Sequence, residues 1–286
     1  MAVQSVIERS IRAAGRLYTD PGRSKYLVIN RQDVLSICNR CKSLPLSVEI
    51  KALQLGIVPM RYVRNLGTIG IDGQIKLLQS CVAIAGAGGL GGIVVELLAR
   101  IGVGQLIIID NGRFTENNLN RQLLASESSI GKSKAKAAVK RINRVNSSVA
   151  VKAISRKIDG RNCTELIKEA DVVIDALDNL PSRYMLAGAC KKLKIPLVHG
   201  AIAGFSGQVL TILPGDKGLV DLYGPLSGGK IRGIESVTGN PPTTAAIIGA
   251  LEVQEAVKLI TGTGVNIRGR LLMLDFAGNS FEEVII

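Results

Sequence analysis

The chain has 286 residues, 47% of them hydrophobic, and a formal net charge of +13. This length and hydrophobic content suffice for one large domain, or for one domain with an extension, and the sequence contains no repeats or low-complexity tracts. The positive charge should attract acidic partners, RNA among them, but only 3% of the residues are aromatic and none is tryptophan. Because base stacking needs aromatic surface, nucleic acid is the less favoured kind of main partner.

The placement of charges and cysteines predicts a cytoplasmic protein without a membrane span. The longest uncharged run, residues 77–95, approaches spanning length, but several glycines interrupt it. Residues 1–19 contain Glu8, Arg9, Arg12 and Arg16, which break any apolar core of a signal peptide. Five cysteines without regular spacing suit a reducing compartment and predict no disulfide framework.

Residues 1–60 are predicted to form an N-terminal extension. Its one Cys-x-x-Cys pair, Cys38 and Cys41, supplies two of the four ligands that a structural zinc needs. We therefore favour an incidental or weakly redox-active pair over a metal site, unless a dimer brings two pairs together.

The most specific signal lies between residues 81 and 110. The apolar run 81–85 predicts a buried parallel strand, and a helix from about Gly92 to Ile101 and a strand over 105–109 follow. Asp110 then stands about 20 residues beyond the glycine turn, where an acid can accept hydrogen bonds from ribose hydroxyls. The turn contains Gly86, Gly88, Gly89 and Gly91, of which three fit G-x-G-x-x-G. This pattern predicts nucleotide binding; the alternative is that the glycines only permit close packing.

The remaining sequence continues the alternation of helices and strands. Asp178 follows an apolar strand, at the edge where open α/β sheets bind ligands, although it could merely begin a turn before Pro181. The only histidine, His199, ends a predicted strand, and a structural role is favoured over catalysis. The predicted elements are a helix over 131–145, a strand over 172–174, a helix over 182–193, strands over 196–199 and 208–213, a glycine-rich loop over 214–242, a helix over 243–260, and strands over 270–276 and 281–286.

Six ordered sequence blocks resemble the ThiF/MoeB/HesA family, the bacterial relatives of ubiquitin-activating enzymes. The blocks are Arg61-Tyr62-Val63-Arg64, the glycine turn, Asp110, Asn118-Leu119-Asn120-Arg121-Gln122, Lys134 after Gly131, and Asp175-Ala176-Leu177-Asp178-Asn179. The resemblance implies a Rossmann-like α/β fold with a continuous sheet, mostly parallel and then mixed. It covers residues 61–286, with a nucleotide-binding half over 81–180 and a protein-substrate half over 181–286.

What the resemblance implies chemically is adenylylation. ATP and Mg²⁺ would convert the C-terminal glycine carboxylate of a small ubiquitin-like sulfur carrier, ThiS- or MoaD-like and ending in Gly-Gly, into an acyl adenylate with release of pyrophosphate. The thiamine, molybdopterin and other sulfur-transfer routes remain open. A carboxylate is already a nucleophile at neutral pH, so this chemistry needs charge neutralisation and alignment rather than a general base.

The resemblance also implies roles for individual residues. Arg121 and Lys134 would contact the triphosphate and Asn118 would help to place it. The glycine turn and Asp110 would hold the nucleotide, and Asp178 would ligate Mg²⁺. Arg64 would reach the phosphates from the other subunit of a homodimer. Alternatively, Arg121 and Lys134 are surface cations, as we expect for the neighbouring Lys132, Lys136 and Lys140.

Two departures from the family pattern limit the expected chemistry. Many relatives hold zinc with two Cys-x-x-Cys pairs, but residues 214–224 and 275–282 contain no cysteine, so we expect no zinc site. Relatives that transfer sulfur or form thioesters carry a cysteine before the helix predicted near residue 243, and residues 234–242 have none. The expected reaction therefore stops at the adenylate, which a separate sulfur donor would attack. Cys81, Cys163 and Cys190 are expected to be buried structural thiols.

Three alternatives to a carrier adenylyltransferase remain open at this point. A member of the same superfamily could adenylate a peptide or a tRNA base, and salt-dependent tRNA binding would favour it. An NAD-dependent oxidoreductase fits the glycine turn and Asp110 but not Arg121 and Lys134. An inactive nucleotide-binding scaffold would bind a ubiquitin-like partner without turnover.

Overall fold

The computed structural model describes residues 2–226 and 235–286 of the chain. Part of the predicted glycine-rich loop, residues 227–234, lies outside the described residues. Among the described helices, none has both the length and the apolar character that crossing a bilayer requires.

Helices and strands alternate through most of the described chain. The helices are α1 (Ala2–Ala14), α2 (Arg31–Cys41), α3 (Pro45–Gln54), α4 (Leu66–Gln79), α5 (Gly89–Ile101), α6 (Lys134–Val145), α7 (Cys163–Ile167), α8 (Leu180–Leu193), α9 (Leu219–Tyr223), α10 (Glu235–Thr238) and α11 (Pro242–Thr261). The strands are β1 (Arg16–Thr19), β2 (Lys25–Ile29), β3 (Ile57–Pro59), β4 (Cys81–Ala85), β5 (Gln105–Ile109), β6 (Ala150–Ile154), β7 (Val172–Asp175), β8 (Leu197–Ala203), β9 (Ser206–Ile212), β10 (Arg270–Asp275) and β11 (Ser280–Ile285).

The main sheet has eight strands in the order β11-β10-β9-β8-β7-β4-β5-β6. Neighbouring strands from β8 to β6 run parallel, whereas β8, β9, β10 and β11 pair antiparallel. The predicted continuous sheet, mostly parallel and then mixed, is therefore confirmed.

Helices cover both faces of this sheet because its central strands are apolar on both sides. In β4, Val82 and Ile84 join a core with α5, α6 and α11, whereas Ala83 and Ala85 join a second core with α7 and α8. Successive side chains of a strand point to opposite faces, so an uninterrupted apolar run fills both cores. The parallel strands thus end together at one edge, between two helical layers.

Several element boundaries differ from the sequence-based expectations. Helix α5 begins at Gly89 rather than near Gly92, because its glycine-rich first turn packs directly against β4 and the following loop. Strand β8 continues four residues beyond His199, because antiparallel pairing with β9 extends to Ala203 opposite Ser206. The predicted loop over 214–242 contains the short helices α9 and α10.

The N-terminal extension is folded. Strands β1, β2 and β3 form a separate sheet, and α1, α2 and α3 enclose a small core that includes Cys38. Buried Glu49 joins this unit to the rest of the chain: its carboxylate accepts hydrogen bonds from Tyr62 Oη at 3.2 Å and from Ser148 Oγ at 2.9 Å. Thus the extension packs against the nucleotide half through a buried polar contact.

Glu252 on α11 is a buried acid without a hydrogen-bond partner among the described residues. It is fully buried, neither carboxylate oxygen is bonded, and it lies so close to β8 that a Cβ on Gly200 would sit 2.5 Å from its Cδ. Burial, and then the nearby charge of Asp175, raise the pKa of Glu252 well above its usual value.

We expect Glu252→Gln to stabilise the protein at alkaline pH. Since the folded-state pKa is raised, the wild type loses stability as pH increases above the unfolded-state value, whereas a neutral amide of the same size does not. Thermal unfolding at pH 8 should show a gain of about 1–3 kcal/mol that shrinks towards pH 5. The matched change at exposed Glu127 should show no such trend; a uniform effect of Glu252→Gln across pH would contradict the raised pKa.

Candidate active site

Within the part of the chain that the structure describes, the main cavity opens at the carboxyl ends of the parallel strands. Its volume is about 970 Å³. One half is lined by residues from the glycine turn and the segments after β5 and β7. The other half is lined by the β8–β9 hairpin, α9 and the end of β10. This is the edge at which open α/β sheets bind ligands, and the volume is large enough for a nucleotide and part of a second substrate.

The glycines of the turn have two distinct roles. Gly86 has φ +99°, and a Cβ there would lie 2.4 Å from the carbonyl oxygen of Ala176. A Cβ on Gly91 would lie 1.9 Å from the carbonyl oxygen of Gly86. A Cβ on Gly88 or Gly89 would meet nothing closer than 3.6 Å, and both residues line the cavity. Gly86 and Gly91 therefore permit close backbone packing, while Gly88 and Gly89 expose backbone to a ligand.

Asp110 orders the turn as well as facing the cavity. Its Oδ2 accepts a hydrogen bond from the Ala87 amide at 2.7 Å, and its Oδ1 accepts one from the Gly112 amide at 2.6 Å. A carboxylate has about four acceptor positions, so two remain for ribose hydroxyls.

Arg121 and Lys134, the two cations predicted to bind the triphosphate, both line the cavity. Neither forms an ion pair with an acidic residue in the described part of the chain. Arg121 Nη1 donates to the Asn117 carbonyl at 3.0 Å and to Asn120 Oδ1 at 2.8 Å, and the aliphatic part of the side chain lies beside Gly89. Lys134 is the first residue of α6, and its side chain passes over Gly112. Their uncompensated charges and the free amides at the start of α5 make this half of the cavity suited to a polyphosphate.

The other predicted site residues occupy different positions. Asp178 is exposed on the cavity wall beyond β7, and its Oδ1 accepts from Asn179 Nδ2 at 3.0 Å. Asn118 is buried outside the cavity lining, where its Oδ1 accepts from the Thr115 amide at 3.1 Å and so holds the turn before Arg121. Arg64 is exposed and also lies outside the lining. The structure thus brings together Gly86, Gly88, Gly89, Asp110, Arg121, Lys134 and Asp178, whereas Gly91 lies outside the lining.

The sequence profile of the ThiF family matches residues 62–286, which is more than three quarters of the chain. This chain belongs to the ThiF family.

The ThiF-family assignment agrees with curated relatives. The SAMP-activating enzyme E1 of Haloferax volcanii is 35% identical over 226 residues, covering 78% of this chain and 84% of that protein. The sulfur carrier protein adenylyltransferase of Thermus thermophilus is 34% identical over 237 residues, covering 79% and 86%.

Other relatives are longer proteins. The adenylyltransferase and sulfurtransferase MOCS3-1 of Zea mays is 38% identical over 222 residues, and this ThiF-family chain covers 47% of its length. Among solved structures, Escherichia coli MccB with ATP has a TM-score of 0.68 at 22% identity, covering 79% of this chain and 70% of that one. The structural likeness shows the fold, and the curated relatives confirm the predicted enzyme class, an adenylyltransferase.

Sequence analysis missed several cavity residues of this ThiF-family chain. Gln122 is buried, its Oε1 has no hydrogen-bond partner among the described residues, and its Nε2 lies 3.7 Å from the position that a Cβ on Gly88 would take. Tyr223, Gln208 and Arg183 line the second half of the cavity. Gln122 lies inside a block that the sequence analysis quoted, so its position next to Arg121 was an available signal. Tyr223 had no signal, because its short helix falls within a segment that the sequence pattern assigns to a loop.

The thiols of Cys81, Cys163 and Cys190 are buried, as predicted. Burial, and for Cys81 the nearby carboxylate of Asp171, raise the pKa of Cys81 to about 12. Burial and Asp159 raise the pKa of Cys163 to about 11. Such thiols remain protonated at neutral pH and are poor nucleophiles.

The two roles of the glycines can be separated by substitution. We expect Gly91→Ala to lower the free energy of unfolding by about 2–4 kcal/mol, because its methyl group would collide with the Gly86 carbonyl. Gly88→Ala should change stability by about 1 kcal/mol or less. Its methyl group would project into the cavity, so it should weaken the thermal stabilisation that ATP gives the wild type. Full ATP stabilisation of Gly88→Ala would show that phosphate does not approach this turn.

Proposed function

We propose that this chain uses ATP to adenylate the C-terminal glycine carboxylate of a small ubiquitin-like sulfur-carrier protein that ends in Gly-Gly. The observation that carries the proposal is one cavity with two unlike halves. One half presents Arg121 and Lys134 beside exposed glycine backbone, and the wall of the other includes small residues such as Ala201, Ala203 and Gly207. A relative named as activating SAMP and another named as acting on a sulfur carrier support the same substrate class.

The proposed reaction is an in-line displacement. A carboxylate oxygen of the terminal glycine attacks the α-phosphorus of ATP, a new O–P bond forms, and the bond to the β-phosphate oxygen breaks to release pyrophosphate. No proton has to be removed from the nucleophile. The required work is to align two anions and to neutralise the leaving pyrophosphate, which cations fixed in a partly enclosed cavity can do.

The proposed roles follow the positions of the side chains. Arg121 and Lys134 bind the triphosphate, the amides beside Gly88 and Gly89 face the phosphates, and Asp110 accepts from the ribose. Asn118 acts indirectly, by holding the turn that carries Arg121.

Asp178 fits a Mg²⁺ role, because Mg²⁺ is often bound by one or two carboxylates together with substrate phosphates and waters. Asp178 is exposed on the cavity wall with Oδ2 unbonded in the described residues. Bound there with ATP, the ion would neutralise charge on the phosphates.

We propose a member of the family that has no zinc site and no cysteine at the sulfur-transfer position. In place of a zinc tether, the segment after β9 is joined to the residues before β10 by an ion pair, in which Arg268 Nη2 lies 2.7 Å from Asp216 Oδ1. Arg268 lowers the pKa of Asp216, so this link persists at neutral pH. Residues 234–242 contain no cysteine that could accept the acyl group, so a separate sulfur donor attacks the adenylate.

We further propose that the protein works in the cytoplasm.

The proposal predicts that pyrophosphate exchange into ATP depends on the carrier and on Mg²⁺. Arg121→Ala and Asp178→Ala should each reduce exchange by about 100-fold or more, because each removes charge that stabilises the transition state. Circular dichroism and thermal unfolding should show an intact fold. Cys38→Ser and Cys41→Ser serve as controls and should retain exchange.

Two results would contradict this function. Loss of exchange in the cysteine variants would assign chemistry to the extension. Thermal stabilisation of the wild type by NAD⁺ or NADH, but not by Mg²⁺-ATP, would favour the oxidoreductase alternative.

We also propose a homodimer in which Arg64 serves the partner's cavity. Arg64 is exposed, lies outside its own cavity lining and has no ion pair within the described residues. Arg64→Ala and Arg121→Ala should each be inactive alone. After subunit exchange, an equal mixture should recover about one quarter of wild-type activity, since each mixed dimer has one intact site. A verified mixed dimer without activity would show that each subunit is self-contained.

A further inference from the structure

The only histidine of the chain uses both ring nitrogens in a buried network beneath the second half of the cavity. His199 is fully buried within β8. Its Nδ1 lies 2.8 Å from Asp175 Oδ2, and its Nε2 lies 2.8 Å from the hydroxyl of Tyr223. That hydroxyl also accepts a hydrogen bond from Gln208 Nε2. The network therefore connects β7, β8, β9 and α9.

Chemistry fixes the direction of each hydrogen bond. Burial lowers the pKa of His199, so the imidazole is neutral and has one N–H. The Asp175 carboxylate can only accept, which places that proton on Nδ1 and leaves Nε2 as an acceptor. The Tyr223 hydroxyl must then donate to Nε2, and it receives the Gln208 amide proton. This arrangement gives the His199 N–H and the Tyr223 O–H one acceptor each.

The network ends at the cavity wall. Tyr223 and Gln208 both line the cavity, whereas His199 and Asp175 do not. Tyr223 is the last residue of α9, a five-residue helix that packs through buried Leu219, and the hydroxyl of Tyr223 adds side-chain bonds to β8 and β9. A second bond, from the Tyr184 hydroxyl to the Gly224 carbonyl at 2.5 Å, anchors the adjacent residue without reaching the cavity.

We propose that His199 is a positioning residue that holds Tyr223 in the wall of the second half of the cavity. We call this half the carrier-tail channel, because it would receive the C-terminal tail of the carrier. This rests on the proposed function, because the second half of the cavity is the part that would receive an extended tail. Without the bond to His199, the phenol keeps only its bond to Gln208 and is held less firmly, so the tail must order it on binding, which weakens the carrier complex. ATP binding is unaffected, because its proposed contacts lie in the other half.

The test compares Tyr223→Phe with Tyr184→Phe. Each variant removes one hydroxyl group whose hydrogen bonds help to hold residues 223–224 in place. A panel of ThiS- and MoaD-like carriers ending in Gly-Gly is screened, and the carrier with the fastest exchange is used throughout. For Tyr223→Phe, which loses the hydroxyl's bonds to both His199 and Gln208, we expect the carrier KM to rise about threefold to tenfold, with kcat and the ATP KM unchanged. Tyr184→Phe should leave all three at wild-type values.

A second pair of variants examines His199 itself. His199→Leu should raise the carrier KM at least as much as Tyr223→Phe. His199→Gln, whose amide oxygen can accept from Tyr223, should recover part of the loss. Equal effects of Tyr223→Phe and Tyr184→Phe, or a rise in the ATP KM that matches the rise in the carrier KM, would overturn the positioning role.

Calorimetric titration of the carrier into the protein without ATP separates this inference from the proposed function. If the wild type binds the carrier but does not catalyse exchange, the adenylylation proposal fails, and weaker binding by Tyr223→Phe alone still supports the channel. If no carrier of the panel binds, both proposals fail. If carriers exchange and bind equally well in wild type and Tyr223→Phe, only the positioning role is overturned.

Discussion

The close approach of three backbone segments at the end of β4 is the constraint on which the site depends. Gly86, Gly91 and the Ala176 carbonyl lie so near one another that no Cβ fits between them. This contact places the start of α5 directly over β4 and beside the loop after β7. It thereby brings the amide-rich end of α5 and Asp178 to the same cavity. The acid Asp110 adds a second restraint by bonding the amides of Ala87 and Gly112.

Buried polar groups shape the molecule in two contrasting ways. In the network of Asp175, His199 and Tyr223, every donor has an acceptor, so the burial of polar atoms is compensated and the geometry is fixed. Glu252 packs near the same strands with neither oxygen bonded to a described residue, and its burial raises the pKa of its carboxyl group well above the usual value. A satisfied network specifies one arrangement, whereas an unsatisfied acid makes stability depend on pH.

The extension and the cavity are connected through the same kind of interaction. Glu49, from α3, bonds Tyr62 and Ser148, and Asn146 bonds Tyr62 in turn at 2.9 Å. Asn146 follows α6, the helix that begins with Lys134. Burial is the main cause that raises the pKa of Glu49, with Arg61, Ser148 and Tyr62 opposing it. The extension is therefore bonded to the end of the helix whose first residue, Lys134, lines the cavity.

The sequence by itself determined the nucleotide half, because strands, glycine turn and Asp110 are contiguous and their chemistry is local. Apolar runs that fill both faces of a sheet, and glycines that no other residue can replace, leave few alternative folds. Only the tertiary structure decided that His199, Gln208 and Tyr223 meet, since they lie on separate elements and no spacing relates them. Only the tertiary structure likewise showed that Asn118 lies outside the cavity lining and that Gln122 belongs to it. The backbone path of the turn decides which of its side chains face the cavity, and the spacing of the residues does not reveal that path.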